Sequence, residues 1–162
     1  MISIDVEKGR ESIIKLSDSL RYMLYKTDAE RVPVENEIEY LHNYIELEQL
    51  RLETIENINI KLPVADGDQT IAPLILLPFV ENCFKHCNKS DPEIEIKISM
   101  DQEKLSLICY NNKLETGQDR DGGVGLSNAK KRLELIYKNK YNLDITDTVT
   151  HYKVELNLDL NA

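Results

Sequence analysis

Four polar residues interrupt an apolar stretch, "LLPFVENCFKHC", that covers residues 76–87. They are Glu81, Asn82, Lys85 and His86, whose side chains can bind a cation, neutralise an anion or exchange hydrogen bonds with a ligand. A helix turns by about 100° per residue, so these four share one arc and the apolar residues share the opposite stripe. The stretch therefore predicts a helix with a core face and a chemically mixed face. A surface helix with a solvated polar side is an equally good interpretation of this stretch alone.

A second group of candidate residues lies in "DGGVGLSNAKKRL", residues 121–133. Gly123 and Gly125 flank one residue directly before a predicted helix, where free backbone N–H groups and the helix dipole can bind phosphate. Glycine allows close approach to the backbone, although two glycines can also simply turn the chain. Together the two stretches fit one chemistry: an asparagine coordinates Mg²⁺, a lysine neutralises a phosphate, and a glycine-rich loop closes over the remaining phosphates.

The elements that must position these residues follow from hydrophobic periodicity. Apolar residues three and four apart predict further helices over 11–26, 35–53 and 126–138. Alternating apolar and polar residues predict strands over 58–64, 94–100 and 104–110, and in "YNLDIT" and "YKVELNLDL" near the end of the chain. The strands over 94–100 and 104–110 are joined as a hairpin across "DQE". This order predicts an α+β fold in which helices cover one face of a mixed sheet.

Composition excludes several classes of function. The chain of 162 residues carries 20 Lys and Arg against 29 Asp and Glu, a net charge of −9, which disfavours binding to nucleic acid or to an anionic lipid surface. Its longest apolar run, Ala72–Val80, is far shorter than the roughly 20 residues of a membrane-spanning helix. "MISIDVEKGR" lacks the features of a secretory signal, so we expect a cytoplasmic location. The three cysteines show neither disulfide-framework nor zinc-site spacing, and we expect reduced core thiols.

Four segments, in the family's order along the chain, resemble sensor histidine kinases, whose ATP-binding domain is shared with gyrases, mismatch-repair ATPases and a chaperone. "PLILLPFVENCFKH" is similar to the N box of that family and "GVGLSNAKKRLELIY" to its second glycine box. "LSDSLRYML" and "EIEYLHNYIELEQLR" further resemble the subgroup of autolysin-regulating and pyruvate-sensing bacterial kinases. The resemblance implies a two-layer α/β sandwich of the Bergerat type, preceded by N-terminal helices. It also implies ATP and Mg²⁺ as cofactors.

The resemblance assigns roles residue by residue. Asn82 matches the asparagine that coordinates Mg²⁺, and Lys85 matches the lysine that contacts phosphate. His86 matches the residue that follows at the edge of the nucleotide. Glu81 matches an acidic position that in related ATPases polarises the attacking group, so Glu81 and Asn82 are the expected catalytic pair. The second glycine box and the start of its helix are matched by Gly123, Gly125, Leu126 and Asn128, and residues 112–122 are the expected lid.

Two features depart from the family pattern. Asn111 stands where most members have the aspartate that accepts a hydrogen bond from the adenine amino group, and Lys113 stands where they have glycine. An amide oxygen can still accept that bond but brings no charge. In addition, no phosphoacceptor histidine segment precedes "LSDSLRYML". None of the three histidines, His42, His86 and His151, has a phosphoacceptor context.

We therefore expect the catalytic portion of a two-component kinase, cut from a longer inner-membrane sensor of a bacterium and unable to phosphorylate itself. The expected division is a remnant of the dimerisation and phosphoacceptor helices (1–32), a linker helix (33–54) and the ATP-binding domain (55–162). The implied partners are a response regulator and, in the whole protein, a second copy of the kinase; any membrane contact would come from upstream segments. Two alternatives stay open: a stand-alone serine kinase or ATPase of the same superfamily, and an interaction module with a decayed nucleotide site.

Overall fold

The computed structural model describes residues 6–25, 29–64, 67–113 and 124–161. These ranges contain four helices and seven strands. The helices are α1 (Val6–Tyr25), α2 (Val34–Gln49), α3 (Leu77–His86) and α4 (Val124–Ile136). The strands are β1 (Val32–Pro33), β2 (Ile58–Lys61), β3 (Thr70–Ile71), β4 (Ile94–Asp101), β5 (Lys104–Asn112), β6 (Tyr141–Asp147) and β7 (His151–Asp159). Each helix and each longer strand expected from periodicity is present.

Five strands form the central sheet, in the order β2-β4-β5-β7-β6. β2 runs parallel to β4, and the other neighbours are antiparallel, so the predicted mixed sheet is confirmed. The predicted hairpin between β4 and β5 turns at Gln102, whose φ of 53° is left-handed. β1 and β3 form a separate two-stranded ribbon, which pattern analysis missed because two-residue strands have no periodicity.

The hydrophobic core lies between one face of the sheet and the helices. Along β4, β5 and β7 every second side chain is buried, and these residues pack with the apolar stripes of α2, α3 and α4. Between the buried positions lie more exposed ones, many of them polar, such as Glu95, Lys97 and Lys153. Cys83, Cys87 and Cys109 are buried free thiols. The α+β architecture with helices on one face of the sheet is therefore confirmed.

Helices α1 and α2 differ in how they join this core. Val34, Ile38, Leu41 and Ile45 of α2 are buried in it, and α2 ends at Gln49, four residues earlier than predicted. α1 packs against α2, yet its apolar residues, among them Ile13, Leu16, Leu20 and Leu24, are largely exposed. No helix in the described ranges combines the length and apolar character needed to cross a membrane.

Candidate functional site

The two predicted faces of α3 are both present. Phe79, Val80, Cys83 and Phe84 of the apolar stripe are buried. On the opposite arc Glu81 and Lys85 are exposed, and Asn82 and His86 are half-buried. Leu76 caps the N-terminus without a side-chain hydrogen bond, and Pro78 occupies the first turn, where a missing N–H costs little. The packing of one face against the sheet thus fixes the direction of the other.

Asn82 lies beside the Tyr152 phenol of β7. The pKa of Tyr152 is raised to about 12, chiefly by burial and also by Asp147 and the neighbouring thiols, while a hydrogen bond from the Asn82 side chain lowers it. The Tyr152 hydroxyl has no hydrogen bond of ordinary geometry among the described residues, although it is buried. Asn82 therefore lies beside the start of β7, and its half-buried amide is partly accessible to a ligand.

Asn111 is fully buried at the neighbouring end of β5, directly opposite Tyr152 in the sheet register. Its Nδ2 donates to the Asn112 carbonyl at 3.0 Å, which fixes the orientation of the amide. Its Oδ1 has no partner among the described residues. A buried acceptor without a donor is unfavourable and rare, so this oxygen can accept from an N–H group that the described residues do not supply.

Asn112 ties this end of β5 to the turn that follows α3. Its Oδ1 accepts from the Glu93 amide at 3.1 Å and from the Asn88 amide at 3.4 Å. Its Nδ2 donates to the Asp91 carbonyl at 2.8 Å. These bonds join the end of β5 to the segment that follows α3. They therefore limit movement of Asn111 relative to that helix.

Lys113 fills the position where the sequence resemblance led us to expect glycine. Its Nζ binds the Asp147 carboxylate and the Thr148 carbonyl, the latter at 3.3 Å, and lies 5.6 Å from the centre of the Tyr152 ring. The side chain is only about one-fifth exposed, so these contacts hold it against β6 and β7. The departure noted in the sequence is therefore a side chain held against the candidate site by β6 and β7.

The glycine box opens helix α4, which contacts α3. Gly125 has no left-handed φ, and a Cβ built on it would meet no described heavy atom within 4 Å. Neither a turn nor close packing with the described residues therefore requires glycine here. Leu126 packs partly against the core, and Asn128 is exposed. Gly123 and residues 114–122 of the expected lid lie outside the described residues.

Glu81 lies close enough to α2 for its charge to affect two tyrosines of that helix. Burial, together with the charges of Glu37 and Glu81, raises the pKa of Tyr40 to about 12. Burial likewise raises the pKa of Tyr44, with contributions from Glu48 and Glu81. The negative charge of Glu81 thus contributes to the raised pKa values of two tyrosines of α2.

The structure places Asn82 beside Tyr152, which pairs with Asn111 in the sheet and lies against Lys113, whereas the charge of Glu81 acts on α2. Sequence reasoning missed Tyr152 because it occupies an inward position of an alternating strand, as an ordinary core residue does. Only the pairing of β5 with β7 places it opposite Asn111. The sequence marked Lys113 as unusual because the family pattern has glycine there. Its contact with Asp147 could be seen only in the folded structure.

Comparison with known proteins gives a consistent result. Residues 1–55 match the family model described as histidine kinase. An uncharacterized sensor-like histidine kinase of Staphylococcus epidermidis is 28% identical over 93% of this chain, and the sensor protein kinase HptS of Staphylococcus aureus is 25% identical over 91%. The chain spans about a quarter of the length of these relatives, 27% and 26% respectively.

Solved structures share the fold at low sequence identity. The histidine kinase domain of the Erythrobacter litoralis EL346 blue-light activated histidine kinase superposes with a TM-score of 0.59 at 12% identity, covering 93% of this chain and 75% of that one. The catalytic domain of histidine kinase ThkA gives 0.55 at 12% identity, covering 80% and 95%. The fold is therefore that of histidine kinase catalytic domains. The subgroup suggested by the sequence motifs stays a prediction.

Proposed function

We propose that this chain, a homologue of sensor histidine kinases, is the ATP-binding catalytic portion of a two-component kinase, which transfers the γ-phosphoryl group of ATP to a histidine. One observation carries the proposal. Asn82 of α3 lies beside Tyr152, Tyr152 pairs with Asn111, whose buried Oδ1 has no donor among the described residues, and α4 contacts α3. These features come from separate parts of the chain and suit the metal, base and phosphates of one nucleotide.

The base end of the site fits adenine. The 6-amino group of adenine is an N–H donor, and Asn111 Oδ1 is a buried acceptor whose own NH₂ group is already engaged by Asn112. The amide is therefore oriented as the carboxylate of the family pattern would be, without its charge. In this proposal Asn111 selects the base through a neutral hydrogen bond.

The phosphate end of the site carries the remaining assignments. Asn82 is the proposed Mg²⁺ ligand, since a half-buried amide oxygen suits an ion that keeps most of its oxygen ligands from water and phosphate. Bound Mg²⁺ would neutralise charge on the phosphates. Lys85 contacts phosphate as a flexible point charge and His86 lies at the nucleotide edge. Gly125, Leu126 and Asn128 at the start of α4, with Gly123 just before it in the sequence, are the residues proposed to receive the remaining phosphates.

Glu81 and Asn82 are the proposed catalytic pair, with Asn82 positioning and Glu81 polarising the incoming nucleophile. Phosphoryl transfer needs mainly positioning and charge neutralisation from the protein. In this proposal a nucleophile that the exposed Glu81 polarises approaches from the α2 side of α3, because the charge of Glu81 acts on two tyrosines of α2. This direction is where a helical segment carrying a histidine could dock.

The domain division and partners belong to the same proposal. In this proposal residues 1–32 are a remnant of the dimerisation and phosphoacceptor helical region, residues 33–54 are a linker helix and residues 55–162 are the ATP-binding domain. The exposed apolar residues of α1 support pairing with a second copy of the chain, because a two-helix contact leaves them in water. A response regulator would receive the phosphoryl group.

Titration with a non-hydrolysable ATP analogue, with and without Mg²⁺, tests this function. Saturable binding that strengthens with Mg²⁺ supports it, and absence of binding in both conditions contradicts it in favour of a decayed interaction module. Incubation of the chain alone with γ-labelled ATP is expected to leave it without phosphohistidine. His42 pairs with Glu46 on the exposed side of α2, and His151 packs beside Tyr110, so neither lies at the candidate site.

A further inference from the structure

Glu37 is a fully buried carboxyl group that the proposed mechanism does not use. Its Oε2 accepts a hydrogen bond from the Tyr22 hydroxyl at 3.0 Å and another from the Leu74 amide at 2.9 Å. Tyr22 belongs to α1, Glu37 to α2, and Leu74 to the loop that enters α3. A buried carboxyl is costly unless hydrogen-bonded, so these two donors are tied to its presence. One side chain thus connects three segments.

The loop that Glu37 holds contains a strained residue. Leu74 has a φ of 55°, in the left-handed region that a leucine adopts only at an energetic cost. Its amide is held by Glu37 from one side. From the other, Arg132 of α4 donates to the Pro73 carbonyl at 2.7 Å and to the Leu74 carbonyl at 3.4 Å. The strained backbone at Leu74 persists because side chains of α2 and α4 both hydrogen-bond to it.

This loop determines where α3 begins. Leu76, two residues after Leu74, is the N-cap of α3, and no side-chain hydrogen bond caps that helix end. Burial raises the pKa of Glu37, while the Leu74 amide, the Tyr22 hydroxyl, the Leu76 amide and the charge of Arg132 oppose the rise. The same carboxyl therefore interacts with α1, with the start of α3 and with α4.

We propose that Glu37 is a positioning residue that makes the placement of α3 and α4 at the nucleotide site depend on the docking of α1. The proposal rests on the proposed function, since α3 and α4 carry the residues assigned to ATP. A shift of α1 that breaks the Tyr22 hydrogen bond loosens the Leu74 peptide and with it the start of α3. By linkage, nucleotide binding in turn strengthens the contact of Tyr22 with Glu37.

The molecule offers a matched control for the docking of α1. Lys15 of α1 and Glu46 of α2 form an ion pair with an N–O distance of 2.7 Å. This pair joins the same two helices as Tyr22 and Glu37 but lies two to three helical turns away from Glu37 along α2. Lys15→Met therefore removes an α1–α2 contact while leaving the hydrogen bonds around Glu37 in place.

A double-mutant cycle on affinity for a fluorescent ATP analogue tests the coupling. Tyr22→Phe removes one hydroxyl, and Arg132→Lys replaces a forked donor with a single ammonium. Tyr22 lies on α1 and Arg132 on α4, so independent effects would add. We expect each variant to weaken binding by about threefold and the pair to deviate from additivity by about twofold. The cycle of Lys15→Met with Arg132→Lys should be additive.

Hydrogen exchange of the ligand-free protein separates this proposal from the proposed function. Tyr22→Phe should speed exchange of the amides in the segment 74–80 several-fold, and Lys15→Met should not. Faster exchange without any ATP binding by the wild type would leave the positioning role standing and overturn the assignment of the nucleotide site. Normal ATP binding with two additive cycles and unchanged exchange would overturn the role of Glu37.

Discussion

The two faces of α3 belong to one ten-residue helix but contact different surroundings. Phe79, Val80, Cys83 and Phe84 are buried in the hydrophobic core. Glu81, Asn82, Lys85 and His86 remain exposed or half-buried. The difference teaches that stability and ligand binding are separable on this helix. Substitutions on one face should change the free energy of unfolding, and substitutions on the other should change nucleotide affinity.

The largest effect is expected on the core face. Phe79→Ala should lower the free energy of unfolding by about 3–5 kcal/mol, because the ring is fully buried and its removal leaves a cavity. Urea denaturation measures this loss. Glu81→Ala, two residues along on the exposed face, serves as the control and should change the same quantity by less than about 0.5 kcal/mol. Equal losses would show that the two faces are not distinct.

A smaller effect is expected at the sheet end below the polar face. Asn111→Leu removes the buried acceptor and should weaken ATP analogue binding by about tenfold, the value of one buried hydrogen bond. Because guanine presents an acceptor where adenine presents a donor, the wild type should also prefer the ATP analogue to its GTP counterpart. Competition binding measures both. If Asn111→Leu retains the full preference for adenine, another residue reads the base.

The smallest effect is expected at the first turn of α4, where it should have opposite signs for stability and binding. Gly125→Ala should raise the free energy of unfolding by about 0.5–1 kcal/mol, since alanine favours the helix and its Cβ meets no described atom. The same methyl group should obstruct the phosphates, so binding of the ATP analogue should weaken more than binding of adenosine. Equal losses for both ligands would point to altered folding instead.

Much of the fold could be predicted because its periodic segments are long. Several repeats of one period occur in the apolar stripes of α3 and α4 and in the alternation of β4, β5 and β7. The end of α2 was placed too late, because the pattern continues through Leu52, which packs on the core from a turn. For α1 the pattern predicted a helix correctly but not that its apolar residues would be exposed, since periodicity does not reveal the partner.

From the sequence, only the residues of the candidate site that belong to a motif could be proposed. Asn82, Lys85 and the glycines stand in recognisable segments, whereas Tyr152 and Glu37 resemble ordinary core and helix residues. Their importance arises from pairings between distant parts of the chain, of β5 with β7 and of α2 with the loop before α3. Such pairings depend on tertiary packing, which local patterns do not encode.

The most direct test of the account is the binding of a non-hydrolysable ATP analogue to Asn82→Ala, measured by calorimetry with and without Mg²⁺ beside the wild type. Asn82 lies off the packing face of α3, so the variant should unfold at nearly the wild-type temperature. We predict that Mg²⁺ strengthens binding to the wild type and that Asn82→Ala loses most of this Mg²⁺-dependent gain. A variant that retains the wild-type response to Mg²⁺ would contradict the assignment of the site.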